Sequence, residues 1–468
     1  MTQNRIKIAN AAGFLGDNPD APRRLVEGAE VDVLTLEHLA ELTMSILARQ
    51  RQKDPTAGYS GDMVEIMADL APALKSQSQL HIVTNGGGVN PICGAQKVAE
   101  VLCKAGLGEL PIGVVTGDDI RENIPKWLAE GIPLYNFDTG QPLKELNKPI
   151  ISANAYLGAI QIAELYSGGA RIIITGRVAD ASLTLGPAAA HFGWKWDNWN
   201  TLAAASVAGH LIECGAQVTG GYSNIWEGRN LAEVGYPIAE IEPSGACIIT
   251  KPKNTGGIVD RLSVSEQLIY EIGDPKHYLT PDVDCDFTTV KIEDQGANRV
   301  RVTGATGNGA PEMLKVSMAY ADGFMAAGQL LVSGHDATRK SRECAAIIKN
   351  QLESKGDLPE RWQVEYLGQF GFGYQDIEYD IPSVHHEVVL RIAAWHPTAK
   401  PLEKFARLIA PLITSGPAGL AGYAAGRPQI RPVYAYWPTL IPRDLVAPQA
   451  NLKSAKDWST NGATGAIK

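Results

Sequence analysis

Five short apolar segments in the first 180 residues (6–12, 31–36, 81–83, 112–115 and 172–174) each run straight into a turn, and a helical pattern follows each turn. Most of these turns are rich in Gly, Asn, Asp or Thr; the second opens with Glu37 and His38. Strand and helix in strict alternation leave few solutions other than a parallel sheet with crossover helices. In such a sheet the turns share one edge, beyond the carboxyl ends of the strands, where ligands bind. The first half is therefore expected to be α/β, a doubly wound and largely parallel sheet, with the active site at its Gly-rich edge.

After about residue 240 the alternation stops. Segments 246–250, 287–292 and 299–303 resemble strands of an antiparallel sheet, and 315–320 with 329–332 suggest a further pair. A polar helix over 337–355, strands at 363–367 and 387–393, and an amphipathic helix over 402–413 follow. The expected organisation is a parallel α/β ligand-binding domain over 1–240, an α+β domain over 241–445, and an extended or flexible C-terminal tail over 446–468.

Composition excludes several classes of function. Net charge is −9, and Lys and Arg are scattered without a basic run, which argues against a nucleic-acid surface. No window holds 18 consecutive apolar residues, so no membrane partner is expected, and the N-terminus has no leader pattern. Six dispersed cysteines without a C-x-x-C pair suit free thiols in a cytoplasmic setting. His385, His386 and Glu387 read as a solvated turn rather than a metal site.

The sharpest motif is TNGGGVNP at 84–91. Gly86, Gly87 and Gly88 permit close approach of a ligand to the backbone, and Asn90 caps a helix opened by Pro91. With Asn85 they form a candidate binding turn for a phosphate or carboxylate. It is neither a Walker A loop nor a Rossmann fingerprint. GATGNG at 304–309 opens no helix and reads as a loop. In TGRVADAS at 175–182, Arg177 is either an anion clamp or a brace paired with Asp180. Asp17, Asp118 and Asp119 follow other strands; Asp17 is a candidate substrate contact, and Asp118 suits a helix cap. Such carboxylates are compatible with a divalent metal, although no cofactor is required by the sequence. In GHLIECGAQ at 209–217, His210 and Glu213 share a helix face and form a candidate proton-transfer pair, whereas Cys214 reads as an inert buried thiol. The catalytic candidates are His210, Glu213 and Asp180.

At these motifs the chain resembles the acyclic terpene utilisation family, the AtuA-like proteins, from about residue 6 to 443. The carrying stretches are AAGFLGD at 11–17, TNGGGVNP at 84–91, TGRVADASLTLGP at 175–187, GHLIECGAQVTGG at 209–221, GYPIAEI at 235–241 and TGGIVDRLSVSEQLIYEIGDP at 255–275. The resemblance implies a cytoplasmic protein in the catabolism of branched or terpenoid acids through CoA thioesters, and it assigns no catalytic residue. The reading is a catabolic lyase, a hydratase or dehydratase of a carboxylic acid or its CoA thioester. One alternative is a non-catalytic acyl-CoA-binding subunit; another is a hydrolase using Cys214 or a carboxylate-bound metal. The expected partners are a small carboxylate or acyl-CoA, further copies of the chain in a homo-oligomer, and, for the subunit reading, a small partner subunit.

Overall fold

Each of the five apolar segments forms a strand. They are β1 (Ile6–Asn10), β2 (Val33–Leu36), β3 (His81–Thr84), β4 (Pro111–Thr116) and, after an intervening β5 (Ile150–Ala155), β6 (Ile172–Thr175). The computed structural model describes residues 5–368, 387–423 and 426–460, so His385 and His386 lie outside the described residues. The five strands are mutually parallel in the order β1-β2-β3-β6-β4. Ile8, Val33, Val83 and Ile173 are buried on one face. Ala9, Leu34, Ile82, Val114 and Ile174 are buried on the other. Burial on both faces explains why these strands read as continuous apolar runs rather than alternating ones.

The connecting helices are α1 (Ala21–Gly28), α2 (Glu41–Lys53), α3 (Gly61–Ser76), α4 (Pro91–Lys104), α5 (Ile124–Ala129), α6 (Ile160–Ser167), α7 (Ser182–Phe192) and α8 (Trp199–Glu213). Helices α1, α3 and α4 share a core with the second face. Helices α6, α7 and α8 pack in sequence, and α7 and α8 contact β1. Asn90 caps α4 through the Cys93 amide, with Pro91 in the first turn, as the sequence predicts.

The sheet does not stop near residue 240. β7 (Ile238–Ile241) pairs antiparallel with β1, and β8 (Cys247–Thr250) with β7. After α9 (Arg261–Leu268), β9 (Tyr278–Leu279) and β10 (Asp284–Asp286) begin a small three-stranded sheet. β11 (Lys291–Asp294) and β12 (Val300–Thr303) return beside β8, and β13 (Thr306–Gly307) completes the small sheet. The segments expected to build a separate antiparallel sheet are thus antiparallel but extend the first one. An exposed edge at β1 would leave backbone donors and acceptors unpaired, and β7 covers it. The opposite edge is closed in the same way near the C-terminus, as described below.

The expected pair at 315–320 and 329–332 is a single strand, β14 (Met313–Ser333); Gly323, with φ of +75°, lies inside it where the apolar pattern breaks. Close packing divides the chain into one unit running to Ala319 and resuming at Tyr436, and a second over Tyr320–Ala435. The second unit holds α10 (Ala337–Glu353), β15 (Arg361–Leu367), β16 (Glu387–His396), α11 (Ala399–Ala406), α12 (Leu412–Ser415) and β17 (Leu420–Gly422). Its antiparallel sheet runs β15-β16-β14-β17, with Leu330, Ile348, Leu390, Ile392 and Phe405 in its core.

β18 (Arg431–Pro442) pairs with β14, and β5 also pairs with β14 rather than joining the parallel strands. The segment read as an extended or flexible tail forms β19 (Gln449–Ser454), antiparallel to β4, and α13 (Ala455–Thr460). Trp458 is buried against the first unit's core and donates to the Ile112 carbonyl at 3.0 Å. Among the described residues no helix is long and apolar enough to cross a membrane.

Candidate functional site

Three of the five strand-to-helix turns, those after β1, β2 and β6, open onto one cavity of about 740 Å³ in the first unit. Its wall takes Gly13 and Phe14 from the first turn, Glu37, Leu39, Ala40 and Glu41 from the second, and Arg177, Ala179 and Asp180 from the third. Tyr156 follows β5, and His210, Glu213, Cys214 and Gln217 line it around the C-terminal end of α8. Lys315 and the segment around Tyr278 complete the polar lining.

Arg177 is 2% exposed at the centre of this wall. Its guanidinium donates to the Leu39 carbonyl at 3.0 Å, lies 3.0 Å from Asp180 Oδ1 and 3.9 Å from Glu37 Oε1, and stacks on the Tyr156 ring at 4.2 Å. The backbone beneath it is pinned by Asp118, whose carboxylate accepts from the Arg177 amide and from Asn154 Nδ2, each at 2.8 Å. Asp118 is therefore a buried brace between two turns and not the expected helix cap. Gly176 is required there, because a Cβ would strike that carboxylate.

Carboxyl groups on this wall fall into two states. Burial, opposed by Arg177 and reinforced by Glu213 and Glu41, pushes the Asp180 carboxyl up to about 7. Burial and the Asp180 charge raise Glu37 well above the usual carboxylate range, against the pull of Arg177. Burial also raises Glu41, but the Tyr156 hydroxyl at 2.6 Å and Lys315 at 3.1 Å overcome it and hold that carboxyl near 2. Two proton-holding acids thus sit beside one that stays ionised, a separation made by environment alone.

His210 and Glu213 meet as their spacing predicts, with Nδ1 3.1 Å from Glu213 Oε1. His210 Nε2 lies 3.0 Å from the Gln267 carbonyl. Both ring nitrogens therefore face acceptors, and only the imidazolium satisfies both. Burial opposes that charge, but the Glu213 hydrogen bond and charge raise the His210 pKa. Both N–H groups are committed, so His210 holds Glu213 in place. Glu213 keeps Oε2 buried and without a hydrogen bond. The helix end carrying it is tied to β1, because Asn10 Nδ2 donates to the Ile212 and Glu213 carbonyls at 2.7 and 2.6 Å.

The TNGGGVNP turn does not line this cavity. All of 84–90 is buried, and a Cβ on Gly87 would sit 2.5 Å from the Thr175 carbonyl and 2.6 Å from Pro91. Gly86 faces Met63 and His38, and Gly88 faces Leu47 and Gly58. The glycines admit neighbouring protein, not a ligand. Asn90 spends its side chain on the helix cap and on the Pro55 and Ala57 carbonyls. Asn85 stands behind the wall, donating to Glu37 Oε1 and accepting from the His38 amide. Asp17 accepts from the Gly13 amide at 2.8 Å and the Tyr236 hydroxyl at 2.7 Å, bracing the first turn without reaching the cavity. Asp119 lies 3.4 Å from Arg51, also outside it.

The structure therefore brings Arg177, Asp180, His210 and Glu213 together, and adds Glu37, Glu41, Tyr156, Tyr278 and Lys315. Glu37 opens the turn after the second strand in the sequence, although nothing there marked it as a site residue; Tyr156, Tyr278 and Lys315 carried no local signal. Among the described residues no three His, Cys, Asp or Glu side chains are placed to hold a metal ion. The model for "Acyclic terpene utilisation family protein AtuA" matches residues 6–452. The chain belongs to the AtuA family. In this AtuA member the matched region takes in every residue of the cavity wall. No curated protein and no solved structure matches it. Membership connects the chain with the utilisation of acyclic terpenes.

Proposed function

We propose that this AtuA protein is a hydro-lyase, adding water to or removing it from a small or branched carboxylic acid or its CoA thioester. The observation that carries this reading is the pairing of Asp180, a carboxyl with a pKa near 7, with Glu213, whose Oε2 is buried without a partner in the same cavity. Such chemistry needs one group that delivers a proton and one that takes a proton from water, and the acid works best with a pKa near the working pH. Asp180 serves as the acid, set in orientation by Arg177. Glu213 serves as the base, set by His210. The remaining wall, with Leu39, Phe14, Met313, Leu314 and Leu440, suits a hydrocarbon chain. Lys315, 43% exposed and paired with Glu41, would have to share that pairing with an acid or thioester head group.

The thiol alternative is weaker. Burial and then the Glu213 charge push the Cys214 thiol up, away from the thiolate a nucleophile requires. The test is a panel of branched unsaturated acids and their CoA thioesters in heavy-oxygen water, with product mass as readout. Glu213→Gln preserves shape, so its melting temperature should stay close to wild type while its rate per folded molecule falls about a hundredfold or more. A destabilised but fully active variant would make Glu213 structural. Absence of turnover across the panel, with thioesters still raising the melting temperature, would move the chain to the acyl-CoA-binding subunits.

A further inference from the structure

Among the described residues, the hydroxyl groups of Tyr156, Tyr270, Tyr278 and Thr280 line the cavity. All but one are spent within the protein. Tyr156 donates to Glu41, Tyr270 to Glu271, and Thr280 to the Val283 carbonyl. The Tyr278 hydroxyl makes no hydrogen bond with any described residue, and its oxygen is not sealed from water. It therefore opens on the space that Tyr278 lines. Packing fixes the ring, whose centroid lies 5.5 Å from that of His210 and 5.0 Å from that of Phe287. The strand that carries it, β9, pairs with β10 through Tyr278 and Cys285. Burial, and then the Glu213 charge, push the Tyr278 hydroxyl well above its ordinary range, so it keeps its proton. A fixed, neutral donor thus stands beside Glu213 and its His210 partner, with no protein group to donate to.

Resting on the hydro-lyase reading, we infer that the Tyr278 hydroxyl donates to the acyl carbonyl oxygen of a thioester whose double bond is conjugated to that carbonyl. A donor at the carbonyl aids hydration only of a conjugated bond, because only there does negative charge develop on the oxygen. A hydroxyl already in place supplies that hydrogen bond without reorganising during the reaction. Glu213 takes a proton from water as the water oxygen bonds to the β-carbon. The π electrons move onto the carbonyl oxygen, which Tyr278 holds through its O–H without giving up the proton. Glu213 is uncharged by then, so the enolate does not face a carboxylate. The carbonyl re-forms as the α-carbon takes the proton of the Asp180 carboxyl. The product is a 3-hydroxyacyl thioester, and passage of one proton from Glu213 to Asp180 restores both groups. Dehydration is the reverse. A free carboxylate suits the place less well, since it brings its charge beside Glu213 before any proton has moved. No oxidant or further reactant is needed.

The test reads binding and turnover separately, so that this inference and the hydro-lyase reading fail apart. Octanoyl-CoA and S-octyl-CoA differ only at the carbonyl, which the thioether replaces by a methylene. Titration calorimetry on the full-length protein should show octanoyl-CoA binding about fivefold tighter. In Tyr278→Phe that preference should shrink to within about twofold. The melting temperature should stay at the wild-type value, because the lost hydroxyl bonds no described protein group. With 2-octenoyl-CoA as substrate, kcat should fall about a hundredfold while KM rises by no more than about fivefold. Equal binding of the two probes by the wild type overturns the inference, as does failure of both to bind. A Tyr278→Phe protein that melts well below the wild type makes the hydroxyl structural and also overturns it. A protein that hydrates octenoyl-CoA yet keeps its preference in Tyr278→Phe loses only this inference. One whose preference depends on Tyr278 but that turns nothing over keeps the contact and loses only the hydro-lyase reading.

Discussion

Two neighbouring turns follow parallel strands of the same sheet and have opposite fates. The turn after β3, with three consecutive glycines, is packed solid. The turn after β6, with a single glycine, an arginine and an aspartate, faces the cavity. They touch: the space a side chain on Gly87 would need is filled by the Thr175 carbonyl at the end of β6. Glycine-rich composition marks where backbone comes close to something, and here that something is the adjacent turn. Titratable groups set beside an open space mark the candidate site better, because groups such as Arg177 and Asp180 are expensive to bury and need surroundings that compensate them.

The comparison breaks most directly at Gly87. Gly87→Val puts branched carbons where a single Cβ already lies 2.5 Å from backbone. The variant should lose more than about 3 kcal/mol or fail to fold, as read by urea denaturation. If it instead folds with wild-type stability and loses only ligand affinity, the turn after β3 belongs to the site after all.

A smaller effect sharpens the other side. The folded Asp180 carboxyl has a pKa of about 7 against an ordinary value of 3.8. Below the ordinary value both folded and unfolded chains hold the proton, and the group costs nothing. As pH rises from about 4 to about 7 the unfolded chain ionises while the folded one keeps its proton, so stability falls through that window. Asp180→Asn should flatten this decline and raise the melting temperature at neutral pH relative to wild type. Asp118, raised to about 6 chiefly by burial, contributes a parallel decline that the variant leaves in place. A steeper decline in Asp180→Asn would mean that Asp180 is ionised in the folded protein and a net stabiliser.

The smallest effect is expected at the turn after β1. Asp17 braces Gly13 and Tyr236 but does not line the cavity. Asp17→Asn should cost about 1 kcal/mol of stability and leave turnover per folded molecule within about twofold of wild type. A loss of turnover without loss of stability would place Asp17 in contact with substrate.

Much of the first unit is legible in the sequence alone. The five apolar segments are the five parallel strands, because burial on both faces demands uninterrupted apolar runs. The His210–Glu213 contact was legible too, because residues three apart on a helix share a face. The second half was harder to place. An antiparallel strand looks alike in sequence whether it starts its own sheet or extends another, and β7, β8, β11 and β12 extend the first. Segment 446–460 has a weak apolar pattern, yet β19 covers the edge at β4 and Trp458 fills a core 346 residues away from its hydrogen-bond partner.

By itself the sequence determined that a parallel sheet forms, which segments build it, and that its turns meet along one edge. These follow from local patterns, since apolar periodicity, caps and glycines act over a few residues. Which of those turns holds the site was decided only by tertiary structure. Glu37, Glu41, Tyr156, Arg177, Asp180, Glu213 and Lys315 come from separate stretches of chain, and their protonation states exist only once burial and mutual distance are set. The same three-dimensional packing filled the conspicuous glycine turn with protein and left the cavity at a turn whose sequence was plainer.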